Sequence, residues 1–379
     1  MPYIEHKSFQ SKSKMHLKSI YNFDEDYKLI SSDYKNNEYK SEYLFKDLRQ
    51  IKLDLIEQAD NDKNKLFLSE LFDLSEKILK SDLSAFSSRK GLSLNNESQI
   101  SSEGFYKYQL KEPLIKEILK ISSNQILTFK ENIKLGKVSR DELQINSGPI
   151  IRKIVRLLNK EFKNSDVFKI IKNYTGKSFS VSGCSLELST NKAIWWKNIY
   201  KEYGKTPKTT YFHFDESLEN PKALIYLNDV DLNNGPFSIV KKTKKNIVIS
   251  PIQKIIGRAI LKVGKSKNSQ LSNFYKKNRR QNFECEKFRE DFSSLPNELL
   301  FNSHFGWDVI PGSKLEHQIL KDELVFTGSK GTTIIFDGGS TLHRGGLVKS
   351  GERVALQIIF SKKSNFTLLI KILKKLNIL

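Results

Sequence analysis

The 379-residue sequence predicts a mainly β core with flanking helices, arranged as an antiparallel sandwich of the jelly-roll kind. From residue 178 onward, apolar residues alternate with the period of two that strands require, and turn signals such as Asn233-Asn-Gly-Pro236 separate the segments. No helical segments alternate with these strands, as they would in a parallel sheet with crossover helices. Short strands joined by turns are typical of a jelly roll, which is also called a double-stranded β-helix.

Residues 1–100 are predicted to form an N-terminal extension made of a polar arm and a helical hairpin. Residues 1–40 are rich in Lys, Ser, Asn and Asp, which is typical of a weakly ordered arm. Apolar residues then recur at helical spacing over 41–83, with an interruption at Asp60-Asn-Asp62. A Ser- and Asn-rich segment over 87–102 indicates a linker.

The domain expected over 101–365 begins with elements that buttress the sheet. The segment Glu103-Gly-Phe-Tyr-Lys-Tyr108 alternates as a short strand does. A helix is predicted from Glu112, with Pro113 in its first turn, and a second helix from about 149 through 162. The later strands are predicted at residues 178–188, 209–215, 223–228, 237–240, 331–336 and 353–360.

A basic insertion over 241–330 interrupts these strands. Residues 241–280 contain 13 Lys and Arg and no acidic residue, which contributes much of the net charge of +21. An amphipathic helix is predicted between an N-cap at Ser250 and a stop at Gly264. We expect its apolar stripe to pack on the protein and its basic face to be solvated; the alternative is that this face binds an anion.

The tail over 366–379 is also amphipathic and basic. It is expected to dock on the protein, and peripheral membrane contact is the alternative. The sequence contains no run of 18 apolar residues, so no transmembrane segment is predicted. No secretory leader is visible either, and a cytoplasmic location is therefore expected. Cys184 and Cys285 are far apart, which argues against a disulfide framework or a thiolate metal site.

The residues with the clearest chemical signal lie in Thr209-Thr-Tyr-Phe-His-Phe-Asp215. In a strand, His213 and Asp215 project to the same face and can bind one ion together. His343, which follows the apolar run Thr333-Ile-Ile-Phe336, is the candidate for a third ligand. Two histidines and one carboxylate form the facial triad of non-haem Fe(II) oxygenases. Buried polar pairs without iron are the alternative explanation.

Arg353 follows His343 by ten positions, at the start of a predicted strand. Its face of the strand also carries Ala355 and Gln357, while apolar residues occupy the other face. An inward arginine is costly unless it meets an anion, and its planar fork matches a carboxylate. A dicarboxylate cosubstrate would satisfy it, and Gln357 is a further candidate for contact with that cosubstrate.

In these segments the chain resembles the phytanoyl-CoA dioxygenase-like family of Fe(II)/2-oxoglutarate enzymes. The resemblance covers roughly residues 100–361 and rests on the motifs that resemble the family's strands and turn: Glu103-Gly-Phe-Tyr106, Phe212-His-Phe-Asp215, residues 223–231 with Asn234-Gly-Pro-Phe237, and residues 332–360. It implies a cupin-like double-stranded β-helix that uses Fe(II), 2-oxoglutarate and O2.

The resemblance also implies roles for individual residues. It assigns His213, Asp215 and His343 to iron, Arg353 to the distal carboxylate of 2-oxoglutarate, and Thr210 to a cosubstrate contact. Halogenases of similar architecture replace the carboxylate ligand with a small residue, so Asp215 favours hydroxylation. The implied reaction is oxidative decarboxylation of 2-oxoglutarate by O2, coupled to hydroxylation of a small-molecule substrate. If the basic insertion binds this substrate, the substrate is expected to be anionic.

The sequence departs from the family after Asn234-Gly-Pro-Phe237. Relatives usually continue into a Pro-Gly-Ser/Thr-His segment, whereas Val240-Lys-Lys-Thr-Lys-Lys245 lacks these residues. A competing hypothesis is a non-catalytic basic module that holds nucleic acid or an acidic partner through residues 241–280. The enzyme is the preferred interpretation, and nucleic acid is not expected as a partner.

Overall fold

The computed structural model describes residues 13–17, 37–87, 99–192, 212, 213, 215, 221–241, 252, 255, 256, 259, 294–296, 299, 314–339 and 341–363. The α-helices whose bounds lie within these ranges are α1 (Asn37–Gln58), α2 (Asp62–Ser87), α3 (Gln99–Ser102), α4 (Glu112–Lys134), α5 (Arg140–Leu143), α6 (Pro149–Asn164), α7 (Val167–Thr175) and α8 (Lys314–Ile319). The strands are β1 (Phe105–Gln109), β2 (Gln144–Ile145), β3 (Phe179–Thr190), β4 (Pro221–Tyr226), β5 (Phe237–Val240), β6 (Glu323–Phe326), β7 (Thr332–Asp337), β8 (His343–Arg344) and β9 (Glu352–Lys362).

These strands form two antiparallel sheets. The larger sheet has six strands in the order β1-β7-β4-β9-β3-β2, and the smaller has three in the order β6-β5-β8. Side chains from both sheets share one buried cluster, which includes Tyr226 and Phe336 from the larger sheet and Phe237 and Phe326 from the smaller. The sheets therefore pack face to face, which confirms the predicted jelly-roll sandwich.

The opposite face of the larger sheet is covered by helices. In β9, the alternate residues Val354, Leu356, Ile358 and Phe360 are buried in a second cluster. Helices α4 and α6 contribute Ile115, Ile118, Ile154 and Leu158 to the same cluster. The two helices predicted from Glu112 and Pro149 thus buttress the sheet, because each places an apolar stripe against it.

Helices α1 and α2 form the predicted hairpin, with the break after Gln58 close to Asp60-Asn-Asp62. Their buried residues form a third apolar cluster. Residues from the insertion belong to the same cluster: Ile252, Ile255, Ile256, Ala259, Leu295 and Leu299. The described part of the apolar stripe of the predicted basic helix is therefore buried, as expected, and it packs against the N-terminal hairpin.

Several short elements differ from the sequence expectations. Residues 99–102, predicted as linker, are helical, and β2, β6, β8, α5, α7 and α8 were not predicted. Segments of two to nine residues are too short for hydrophobic periodicity to identify. The remainder of the predicted linker and the tail over 366–379 lie outside the described residues. Within the described part of the chain, no helix is both long and apolar enough to cross a membrane.

Candidate metal centre

His213 and His343 lie next to each other because their backbones pair. Each donates its backbone N–H to the carbonyl of the other, at 3.0 and 3.1 Å, and their ring centroids are 4.3 Å apart. His343 lies in β8 and pairs with Ile239 of β5 in the smaller sheet. Of the strand predicted over 209–215, the structure describes residues 212, 213 and 215, and among these His213 forms an antiparallel bridge with His343.

Asp215 is placed by the turn that follows β7. Its backbone N–H donates to the carbonyl of Gly338 at 2.8 Å. A Cβ atom added at Gly338 would lie 1.8 Å from Asp215 Oδ2, so only glycine leaves room for this carboxylate. The larger sheet therefore supplies the position of the acidic ligand, whereas the smaller sheet supplies His343.

The three side chains converge on one point. Their candidate ligand atoms all lie within 4.8 Å of one another, and His343 Nε2 is 3.8 Å from Asp215 Oδ2. His343 Nδ1 lies 2.9 Å from the carbonyl of Thr341, which can only accept a hydrogen bond. The proton of a neutral His343 is therefore assigned to Nδ1, which leaves the lone pair of Nε2 directed at the site.

The electrostatics of the site suit a cation. Burial lowers the pKa of His343 to about 3, and the nearby His213 acts in the same direction. For Asp215, burial alone would raise the pKa, but His343, Lys222 and His213 hold the pKa of this carboxyl well below its usual value. The result is a neutral imidazole beside a charged carboxylate, which are the forms that bind metal ions.

The turn between β7 and β8 is braced by side chains that the sequence did not reveal. Tyr174 of α7 donates its hydroxyl to Asp337 Oδ2 at 2.7 Å, and Asp337 Oδ1 accepts the N–H of Gly339 at 3.0 Å. Thr341 donates its hydroxyl to the carbonyl of Gly104 at 3.2 Å. These contacts fix the segment that carries both the Gly338 and the Thr341 carbonyls.

A polar cluster around Arg344 lies on the other side of β8 from His343, because adjacent residues of a strand point to opposite faces. The guanidinium of Arg344 forms two hydrogen bonds with Glu323, at 2.9 and 2.7 Å, and lies 3.4 Å from Glu316. It also stacks over the ring of Phe212 at 4.0 Å. Arg344 follows His343 and Phe212 precedes His213, so this cluster joins the two segments that carry the histidines.

Lys222 is the unexpected member of the site. Its ammonium forms an ion pair with Asp215, with 2.7 Å between Nζ and Oδ2. Lys222 lies in β4, and it pairs with Phe336 of β7 and Ile359 of β9. Lys222 lies just before the strand predicted at 223–228, and it gave no signal in the sequence, since lysines are abundant throughout the chain.

Arg353 is buried in the larger sheet, as the alternation of β9 predicted. Its guanidinium donates to the carbonyl of Gly235 and to the hydroxyl of Ser189, and Nη2 lies 3.9 Å from Glu187 Oε1. Glu187, itself buried, accepts a hydrogen bond from Gln357 at 2.8 Å. The anion that sequence reasoning required for Arg353 is thus partly supplied from within the protein, and Gln357 contacts the same carboxylate.

The structure brings together His213, Asp215 and His343, and it places Arg353 and Gln357 around Glu187 on the larger sheet. Thr210, the remaining predicted cosubstrate contact, lies outside the described residues. Sequence reasoning missed Lys222, Gly338 and Thr341, whose roles depend on contacts between distant segments.

Comparison with known proteins gave matches only among solved structures. EctD from S. alaskensis, solved with 2-oxoglutarate and 5-hydroxyectoine, matches with 12% identity, covering 72% of this chain and 77% of that chain, with a TM-score of 0.39. AviO1 from Streptomyces viridochromogenes Tue57 matches with 10% identity, covering 70% and 93%, with a TM-score of 0.38. A Pseudomonas putida prolyl-4-hydroxylase matches with 9% identity, covering 70% and 96%, with a TM-score of 0.32.

No protein-family model matches the chain, and no curated protein matches it in sequence. The resemblance to the phytanoyl-CoA dioxygenase-like family therefore stays a prediction. Structural similarity at these TM-scores assigns no activity, so what the site can do follows from its own side chains.

Proposed function

We propose that the chain is an Fe(II)/2-oxoglutarate-dependent dioxygenase that hydroxylates a small-molecule substrate and releases succinate and CO2. The observation that carries this proposal is the convergence of His213, Asp215 and His343, with ligand atoms within 4.8 Å of one another. Two imidazoles and one carboxylate leave coordination positions open for a cosubstrate and O2.

The residues fit a divalent iron ion. His343 presents Nε2 because Nδ1 is engaged by Thr341, and Asp215 is held beside it by the Gly338 carbonyl. The bound metal would supply the activation of O2, with 2-oxoglutarate as the donor of two electrons. The protein would supply the orientation of the ligands and a site that excludes water on one side, where the ring of Phe336 lies 4.8 Å and that of Phe237 5.9 Å from the ring of His343.

Arg353 is proposed to bind the distal carboxylate of 2-oxoglutarate. It is buried beside polar groups, and the 3.9 Å separation from Glu187 is longer than a hydrogen bond. A cosubstrate carboxylate placed against the guanidinium would form the shorter, forked contact that arginine favours. The presence of Asp215, where halogenases have a small residue, supports hydroxylation as the outcome.

The domain organisation is proposed as follows. Residues 101–365 form the catalytic jelly roll, residues 1–100 an N-terminal extension and residues 366–379 a tail. The shared cluster of the hairpin with Ile252, Ile256 and Leu295 supports a refinement in which the extension and part of the insertion over 241–330 form one packed unit.

The test is succinate formation by metal-stripped protein reconstituted anaerobically with Fe(II), then supplied with 2-oxoglutarate and O2. We expect slow substrate-independent turnover that His213→Ala abolishes. Absence of both metal binding and turnover in the folded wild-type protein would refute the proposal. Salt-sensitive nucleic-acid binding that survives His213→Ala would instead favour the basic binding module.

A further inference from the structure

Lys222 reaches the metal site from the larger sheet. In β4, Lys222 points to the opposite face from Ala223 and shares the inter-sheet face with Leu224 and Tyr226. One third of its side chain is exposed, compared with 22% for Asp215. The ammonium is thus neither freely solvated nor fully buried, and its partner is a carboxylate in the same partly enclosed space.

The ion pair uses the oxygen that a metal would need. Lys222 Nζ lies 2.7 Å from Asp215 Oδ2, and the same Oδ2 lies 3.8 Å from His343 Nε2. This oxygen therefore faces both the lysine and the other ligands. The carboxylate and the ammonium cancel in charge, whereas adding a divalent cation leaves an excess positive charge within a few ångströms.

Lys222 could in principle orient the carboxylate instead of competing for it. However, the position of Asp215 is already determined by other contacts, since its N–H donates to Gly338 at 2.8 Å and the glycine leaves a tight space for the carboxylate. The lysine is therefore not required to place the ligand, and repulsion between two cations on one oxygen is the dominant effect.

We propose that Lys222 is the counter-cation of the metal-free site and that a divalent metal binds in competition with it. This inference rests on the proposed metal-dependent function. It makes Lys222 a residue that determines metal affinity: the lysine stabilises the metal-free protein by neutralising Asp215, and metal binding has to break that ion pair.

The test is the affinity of metal-stripped full-length protein for Mn²⁺, measured by calorimetry and by the loss of free-ion electron paramagnetic resonance signal. Mn²⁺ suits imidazole and carboxylate ligands and does not oxidise during the titration. Lys222→Met and Lys222→Gln remove the charge and should bind Mn²⁺ roughly fivefold more tightly, the size expected for a partly exposed ion pair. Lys222→Arg keeps the charge and should remain close to the wild-type protein.

A matched control is Lys52→Met. Lys52 forms an ion pair of the same length, 2.7 Å, with Asp73 in the helical hairpin, where it touches no candidate ligand. Its removal should leave Mn²⁺ affinity unchanged. A second readout is thermal stability: Mn²⁺ should raise the melting temperature of Lys222→Met by more than that of the wild-type protein, because the metal-free variant lacks the ion pair.

The outcomes separate this inference from the function on which it rests. If the wild-type protein binds Mn²⁺ but the folded methionine and glutamine variants bind it equally or more weakly, the counter-cation role is wrong and the metal site stands. If neither the wild-type protein nor the variants bind Mn²⁺, both proposals are wrong. Tighter binding in both neutral variants, with Lys222→Arg unchanged, supports the inference.

Discussion

At Gly338, the addition of a single methyl group is expected to weaken metal binding without unfolding the protein. A Cβ atom there would lie 1.8 Å from Asp215 Oδ2 and 2.7 Å from the carboxyl carbon. Contacts below 3.0 Å essentially do not occur, so the oxygen would have to move by about 1.2 Å in Gly338→Ala. Metal–ligand distances tolerate about 0.2 Å, so this displacement removes Asp215 from the coordination sphere.

We expect Gly338→Ala to weaken Mn²⁺ or Fe(II) binding by about tenfold to a hundredfold, the range seen when the support of a metal ligand is lost. The backbone of Gly338 does not adopt the left-handed conformation, so the alanine brings no additional backbone strain. The fold should therefore be retained while the metal site is lost. The assay is metal affinity by calorimetry, together with the melting temperature of the metal-free protein.

The matched control is Gly183→Ala in β3. This glycine also lacks the left-handed conformation, and a Cβ atom there would meet Ile359 at an ordinary distance of 3.8 Å. It should leave metal affinity unchanged. Wild-type metal affinity in folded Gly338→Ala would refute the placement of Asp215 as a ligand held against this turn.

Three further results are expected. Arg353→Leu should weaken binding of 2-oxoglutarate to the Mn²⁺-loaded protein at least about tenfold, as for the loss of a charge-assisted hydrogen bond, with Mn²⁺ affinity retained; equal loss of both in calorimetric titrations would make Arg353 a structural residue. Arg344→Met should destabilise the protein by ~3 kcal/mol in urea unfolding, since it removes the buried guanidinium that pairs with Glu323 and Glu316, and stability equal to wild type would show that this cluster does not join the histidine segments. Because the pKa of His343 is lowered to about 3 in the folded protein, the unfolded chain takes up a proton at this histidine at a higher pH than the folded protein does. Its contribution to stability should be complete above about pH 6.5 and be lost as the pH falls towards 3; a metal-free His343→Gln variant should show a shallower loss of melting temperature over that interval, and an identical slope would contradict the neutral, buried state.

The fold was largely readable from the sequence because its longer elements carry clear periodicity. Strands β3 and β9 have eleven or twelve residues and alternate over most of their length, and α4 and α6 each have an apolar stripe and a proline at one of their first two positions. The two-residue strands β2 and β8 offered no such pattern. They form because β3 and β5 offer them backbone groups for pairing, which is a property of the assembled sheets.

The ligand residues were predicted for a different reason. His213 and Asp215 share a face through the period of two, and His343 precedes Arg353 at a spacing that resembles a known family. The supporting contacts could not be predicted in this way, because they join residues far apart in the chain. Tyr174 and Asp337, for example, are separated by 163 positions.

By itself, then, the sequence determined the chemical identity of the candidate ligands, the jelly-roll class and the inward direction of Arg353, because alternation and residue type are local properties. Only the tertiary structure decided the state of that site. It placed Lys222 on Asp215, Thr341 on His343 and Glu187 beside Arg353. Charge pairing and close approach depend on distances of a few ångströms between segments that the chain order leaves unspecified.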